Sequence, residues 1–71
     1  KEKIFKVGIA GFGVVGRRRR KFIDDHPAFE VVAVCDTVFE NHGFLDDGVK
    51  YFPDYHSLLR EELDLLFVCL P

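Results

Sequence analysis

The sequence lacks the features that would place the protein in a membrane or in a low-complexity class. It contains no run of about 20 apolar residues and no low-complexity tract, so no transmembrane helix is predicted. The apolar stretch near its N-terminus is short and soon interrupted by glycine, which is not typical of a signal peptide. With 48% hydrophobic and 31% charged residues the composition is globular, and we expect a cytoplasmic protein with no membrane partner.

The length and charge of the chain limit the number of domains and the kinds of binding partner that we expect. A chain of 71 residues forms at most one small domain, and we expect it to be a piece of a longer protein. The net charge is -2, and half of the ten lysines and arginines lie within residues 17–21. Proteins that bind nucleic acids usually spread positive charge over a face, so we expect no nucleic-acid partner, with this basic segment as the only argument for one.

The apolar segments predict an α/β fold. Residues 4–10, 30–36 and 63–71 are short and almost continuously apolar, which is typical of strands covered on both faces of a parallel sheet. Residues 49–52 predict a further short strand, and residues 37–48 a loop with one helical turn at most.

Two helices are expected between these strands. The first covers residues 13–25 and ends before Pro27, and the second begins after Asp54 as its N-cap. The apolar positions of the second helix share one stripe: Tyr55, Leu58, Leu59 and Leu63. The order β-α-β-β-α-β with right-handed crossovers predicts a doubly wound parallel sheet, a partial Rossmann fold.

Three glycines stand between the first strand and the first helix, in the sequence GFGVVG at residues 11–16. In a dinucleotide-binding turn Gly11 permits the tight turn, Gly13 leaves room for the pyrophosphate, and Gly16 lets the helix pack closely on the strand. The phosphates then lie against free N–H groups at the helix N-terminus. By itself the spacing is weak evidence, since a glycine turn between strand and helix also occurs with a structural role alone.

The end of the second strand strengthens the dinucleotide interpretation. Asp36 lies 20 positions after Gly16, where a carboxylate hydrogen-bonds the adenine ribose of NAD. Strand, glycines, helix, strand and acid follow one another in the expected order. The predicted cofactor-binding residues in this region are Gly11, Phe12, Gly13, Val14, Val15, Gly16, Asp36 and Thr37.

The arginine run is interpreted as a solvated helix face. Arg20 and Lys21 precede Asp24 and Asp25 by four residues, which predicts surface ion pairs of about 0.2 to 0.5 kcal/mol each. Arg17 is a minor candidate for assisting the pyrophosphate. Arg20 stands where a small apolar residue is usual, so its stem is expected to lie along the sheet with its head in water.

Cysteines and histidines predict no metal site. Cys35 and Cys69 end strands expected to lie about 9.6 Å apart, beyond disulfide reach, so free thiols are expected. His26, His42 and His56 are scattered and show no metal-ligand spacing with the cysteines.

The segments KVGIAGFGVVG, VVAVCDT, VKYFPDYHSLL and LDLLFVCLP together resemble the start of the glucose-fructose oxidoreductase and inositol dehydrogenase family, Gfo/Idh/MocA. The resemblance covers nearly all of the chain and implies NAD as cofactor, with NADP left open. It implies that NAD is bound by Gly11, Gly13, Gly16 and Asp36. It also implies that Leu70 and Pro71, at the end of the strand next to the first strand, approach the nicotinamide. Loop 37–48 is shorter than usual for such proteins, and no arginine follows Asp36 to stack on the adenine.

By analogy with that family, the whole enzyme moves a hydride between NAD and a carbohydrate or polyol hydroxyl. The chain is then the N-terminal part of a dinucleotide-binding domain, residues 1–71, and the substrate domain is not in it. The family's catalytic lysine and histidine are expected beyond Pro71, so no catalytic residue is assigned and the fragment alone is expected to be inactive. The alternative is a non-enzymatic sensor or regulatory protein that binds the dinucleotide.

The last strand carries a further expectation. In a strand order of 3-2-1-4 it is the outermost strand that the chain supplies, and it is apolar on both faces. An exposed apolar edge strand is an association site, so we expect a homo-oligomer or pairing of this edge with another chain.

Overall fold

The computed structural model describes residues 3–69, which form one mixed sheet with a helix on each face. The strands are β1 (Phe5–Ala10), β2 (Phe29–Cys35), β3 (Gly43–Phe44), β4 (Lys50–Phe52) and β5 (Leu65–Val68). The helices are α1 (Val14–Asp24), between β1 and β2, and α2 (Tyr55–Leu59), between β4 and β5.

The sheet has the strand order β3-β4-β2-β1-β5. β1 pairs in parallel with β2 on one side and β5 on the other, and β2 pairs in parallel with β4. Each parallel connection passes through a helix or a long loop, as a crossover requires. The predicted α/β fold, a partial Rossmann fold, is confirmed.

The apolar residues divide between the two faces of the sheet. Ile23 of α1 belongs to a cluster with Val7 and Ile9, and Leu58 of α2 belongs to a second cluster with Ala33. Helices therefore cover opposite faces, which explains why β1 and β2 lack an alternating pattern.

Loop 37–48 differs from the prediction. Instead of a helical turn it contains β3, which pairs antiparallel with β4. Gly43 leaves room for the side chain of Tyr51, which a Cβ at this position would overlap. Gly48, with φ of 88°, and the Asp47 carboxylate, which accepts a hydrogen bond from Val49 N at 3.1 Å, form the connecting turn.

Helix α2 is shorter than its apolar stripe suggested. Asp54 is its N-cap, as predicted, but the helix ends at Leu59 and only Leu58 is fully buried. Tyr55 and Leu59 are more than half exposed. Leu63 lies beyond the helix and packs against the second cluster, so the prediction of a single helical stripe was wrong.

Neither helix within residues 3–69 has the length and apolar character of a membrane span.

The far side of β5 has no neighbouring strand in the part of the chain that the structure describes. Three of its residues, Leu65, Leu66 and Val68, are exposed. Its position at the sheet edge follows the expected strand order.

Candidate cofactor site

A cleft of about 650 Å³ lies at the carboxyl ends of β1, β2, β4 and β5. This is the end of a doubly wound sheet at which ligands bind. The glycine loop and the start of α1 contribute Gly11, Gly13, Val14, Val15 and Gly16 to its lining. The strand ends and the segments that follow them contribute Ala10, Cys35, Asp36, Thr37, Pro53, Asp54, Tyr55 and Cys69.

Gly11 and Gly16 are required by the contacts of the protein with itself. Gly11 has φ of 95°, and a Cβ on it would overlap the backbone carbonyl of Cys69. A Cβ on Gly16 would overlap the carbonyl oxygen of Gly11. These contacts hold the turn against the end of β5 and the first turn of α1 against the glycine loop.

Gly13 differs from its two neighbours in the motif. A Cβ placed on it would meet no atom within 4 Å. It is the N-cap of α1, no side chain caps the helix there, and the first turn carries no acidic residue. The described residues therefore leave both space and uncapped N–H donors at this position, where the helix dipole favours an anion.

Asp36 links the end of β2 to the glycine loop. Its Oδ2 accepts a hydrogen bond from Phe12 N at 2.7 Å, and its Oδ1 accepts one from Val38 N at 3.0 Å. A carboxylate has about four lone-pair sites, so these bonds leave it capacity for further donors. The sequence had suggested a contact to ribose and had missed the support that Asp36 gives the loop.

Phe12 faces away from the cleft, although the sequence grouped it with the cofactor residues. Phe12 is 5% exposed, and it belongs to the apolar cluster that includes Ile23 of α1. The ring stacks on Phe39, with centroids 6.4 Å apart. Only its backbone belongs to the glycine loop, where its N–H is already bonded to Asp36.

Two of the four arginines of α1 contact other residues of the same chain. Arg17 Nε donates to the carbonyl of Phe12 at 3.3 Å, and its guanidinium lies 5.1 Å from the Phe12 ring centroid. Arg20 pairs with Asp24 at 3.2 Å, as predicted, and also with Asp47 of the β3–β4 turn. The head of Arg20 therefore ties α1 to that turn rather than lying free in water.

Two thiols line the floor of the cleft. Cys35 and Cys69 are free and buried; Cys35 ends β2 and Cys69 directly follows β5, and β1 separates these two strands, as the sequence predicted. Burial is the main cause that raises the pKa of the Cys35 thiol above its ordinary value. The thiol form is therefore favoured, which makes Cys35 a weak nucleophile at neutral pH.

The structure adds residues that the sequence had not assigned to the site. Pro53, Asp54 and Tyr55 line the cleft because they follow β4, whose carboxyl end lies beside that of β2. The signal in the sequence was their position after a predicted parallel strand. Leu70 and Pro71, assigned by resemblance to the nicotinamide side, lie outside the described residues.

A second groove, of about 530 Å³, lies near the opposite ends of β2 and β4. Its lining mixes both signs of charge, and Lys50 Nζ and Glu61 Oε1 pair there at 3.0 Å. Among residues 3–69, no group of three or more histidine, cysteine or acidic side chains is placed to hold a metal ion.

Comparison with protein families gives one match over almost the whole chain. The family model GFO_IDH_MocA, described as an oxidoreductase family with an NAD-binding Rossmann fold, matches residues 5–71. Neither the search of curated proteins nor the search of solved structures gave a match.

Proposed function

Since the chain belongs to the Gfo/Idh/MocA family of NAD-binding Rossmann-fold oxidoreductases, we propose that it is the cofactor-binding part of an enzyme acting on carbohydrates or polyols. The reaction we propose is transfer of a hydride between NAD and the substrate carbon that bears a hydroxyl group. NAD supplies the hydride acceptor, and the residues described above supply its binding site.

The observation that carries this proposal is the open space at Gly13. Gly11 and Gly16 are explained by contacts within the protein, but no protein atom approaches the missing side chain of Gly13. A pyrophosphate that approaches the backbone there accounts for the glycine. The uncapped N–H groups of α1 supply its hydrogen bonds, and the helix dipole favours its charge.

Asp36 has two roles in this proposal. Its carboxylate fixes the loop through Phe12 N. Its remaining lone pairs accept hydrogen bonds from the adenine ribose hydroxyls, which favours NAD over NADP. The bond to Phe12 supports this assignment because it holds the carboxylate beside the loop that takes the pyrophosphate.

The substrate hydroxyl needs a proton acceptor when it is oxidised. We place that group, and the substrate pocket, in sequence that follows Pro71. The present chain orients the cofactor, and its buried Cys35 thiol is poorly suited to act as a base because burial raises its pKa.

Calorimetric titration of the full-length protein with NAD and NADP tests the cofactor assignment. Turnover is followed by NADH absorbance with a panel of sugars and polyols. Binding of NAD with oxidation of at least one polyol or sugar is the expected result. Binding without turnover of any member favours a dinucleotide sensor, and no binding of either dinucleotide contradicts the proposal as a whole.

A further inference from the structure

The cleft holds a second carboxylate besides Asp36. Asp54 follows β4, the strand that pairs in parallel with β2, and both aspartates line the same cleft. Asp36 N donates to the carbonyl of Phe52 at 3.1 Å, which joins the two strand ends directly. The two carboxylates thus lie at the ends of neighbouring strands, which are about 4.8 Å apart in a sheet.

The Asp54 carboxylate is held in place. Its Oδ1 accepts a hydrogen bond from Ser57 N at 2.8 Å, and its Oδ2 accepts one from Ser57 Oγ at 3.3 Å. The bond from Ser57 N lowers the pKa of the Asp54 carboxyl, with desolvation opposing it, and His42 and His56 lower the pKa further. Asp54 is therefore negatively charged at neutral pH.

The charge of Asp54 acts inside the cleft. Asp36 and Asp54 both raise the pKa of the Cys35 thiol, in addition to the larger effect of burial. No lysine or arginine is among the described residues that line the cleft. An anion bound near the end of β2 thus meets two negative charges and no cationic side chain from the lining.

We propose that Asp54 is a second determinant of cofactor choice, which disfavours a dinucleotide with a 2′-phosphate through charge repulsion while leaving NAD little affected. The inference rests on the proposed function, because it assumes that the adenine ribose lies at Asp36. A 2′-phosphate there carries a charge of about -1.5 to -2 near neutral pH. Asp54 is exposed, so screening limits the effect on the affinity ratio to about two- to fivefold.

Asp54 also caps α2, and a test must separate its charge from its capping. Asparagine caps helices about as well as aspartate, so Asp54→Asn removes the charge and keeps the hydrogen bond from Ser57 N. Asp54→Ser is a second uncharged variant with a capping side chain. Asp64→Asn is the matched control, because Asp64 also accepts a backbone hydrogen bond, from Lys6 N at 2.8 Å, and lies outside the cleft lining.

The experiment measures the dissociation constants of NAD and NADP for full-length wild-type protein and the three variants, at about pH 8 and about 20 mM salt. We expect the ratio Kd(NADP)/Kd(NAD) to fall about two- to fivefold in both Asp54 variants and to stay unchanged in Asp64→Asn. At about 0.5 M salt the difference between wild type and variants is expected to shrink.

Three results would overturn the inference. An unchanged ratio in folded Asp54 variants that still bind NAD rejects it while leaving the proposed function intact. Equal weakening of NAD and NADP shows that Asp54 is structural only. Failure of the wild-type protein to bind either dinucleotide rejects both the inference and the proposed function.

Discussion

The three glycines of the turn are expected to respond differently to the same substitution. In Gly13→Ala the new Cβ enters space with no protein atom within 4 Å, so the fold accommodates it. Alanine is a poorer N-cap residue than glycine, and we expect the free energy of unfolding to change by no more than about 1 kcal/mol. In Gly16→Ala the Cβ overlaps the Gly11 carbonyl, and overpacking of this kind costs about 1 to 3 kcal/mol.

Gly13→Ala, which costs little stability, is expected to weaken NAD binding strongly. The Cβ added by Gly13→Ala would occupy the approach of the pyrophosphate to the helix N-terminus and weaken hydrogen bonds to a charged group, each of about 1.5 to 3 kcal/mol. Partial loss of one or two such bonds corresponds to about 10- to 100-fold weaker NAD binding. Gly13→Ala therefore separates binding from folding, whereas Gly16→Ala lowers stability.

Thermal unfolding followed by circular dichroism and calorimetric titration with NAD measure the two effects. Gly48→Ala is a suitable control, because Gly48 also has open space around it but lies outside the cleft lining. Its φ of 88° makes alanine cost about 1 to 2 kcal/mol in stability, with no change in NAD affinity. Unchanged NAD affinity in a folded Gly13→Ala protein would refute the assignment of this glycine to the pyrophosphate.

Three further predictions concern the carboxylate, the arginines and the sheet edge. Asp36→Ser is expected to weaken NAD binding and to favour NADP relatively, and equal binding of both cofactors by the unmodified protein would contradict this. We expect no tight binding of duplex DNA by the wild-type chain. Tight binding that weakens with salt at a slope of about -0.9 per phosphate contact, and that is lost in the double variant Arg18→Gln/Arg19→Gln, would show that the arginine run binds nucleic acid. The 71-residue chain alone is expected to self-associate, as measured by light scattering, and Val68→Lys at the exposed edge is expected to reduce this association. The same chain is expected to form no NADH with sugars or polyols. A stable wild-type monomer would contradict the first expectation, and turnover would contradict the second.

Features set by neighbouring residues could be predicted from the sequence. Strands β1, β2, β4 and β5, the glycine turn and helix α1 follow from apolar runs, glycine spacing and Pro27, all of which act within a few residues. The N-cap at Asp54 was predicted for the same reason, and its side chain accepts the hydrogen bond from Ser57 N. The order of these elements, with the handedness of crossovers, was enough to predict the strand order of the parallel part of the sheet.

The length of α2 and the structure of loop 37–48 could not be predicted in this way. The stripe that begins at Tyr55 suggested a longer helix, but Leu63 instead packs over Gly8, where a Cβ would overlap its side chain. β3 pairs with β4, and the Tyr51 side chain packs over Gly43, where a Cβ would overlap it. Packing between separate structural elements overrides the local pattern in both places.

The sequence by itself thus determined the class of fold, the cofactor class and the place of the glycine turn between the first strand and the first helix, because these depend on local spacing. Tertiary structure alone showed which glycine of the GFGVVG turn has no protein atom near its missing side chain, that Asp36 holds Phe12 N, and that Asp54 shares the cleft with Asp36. These relations join residues far apart in the chain. They exist only because parallel pairing brings the carboxyl ends of β1, β2 and β4 to one edge of the sheet.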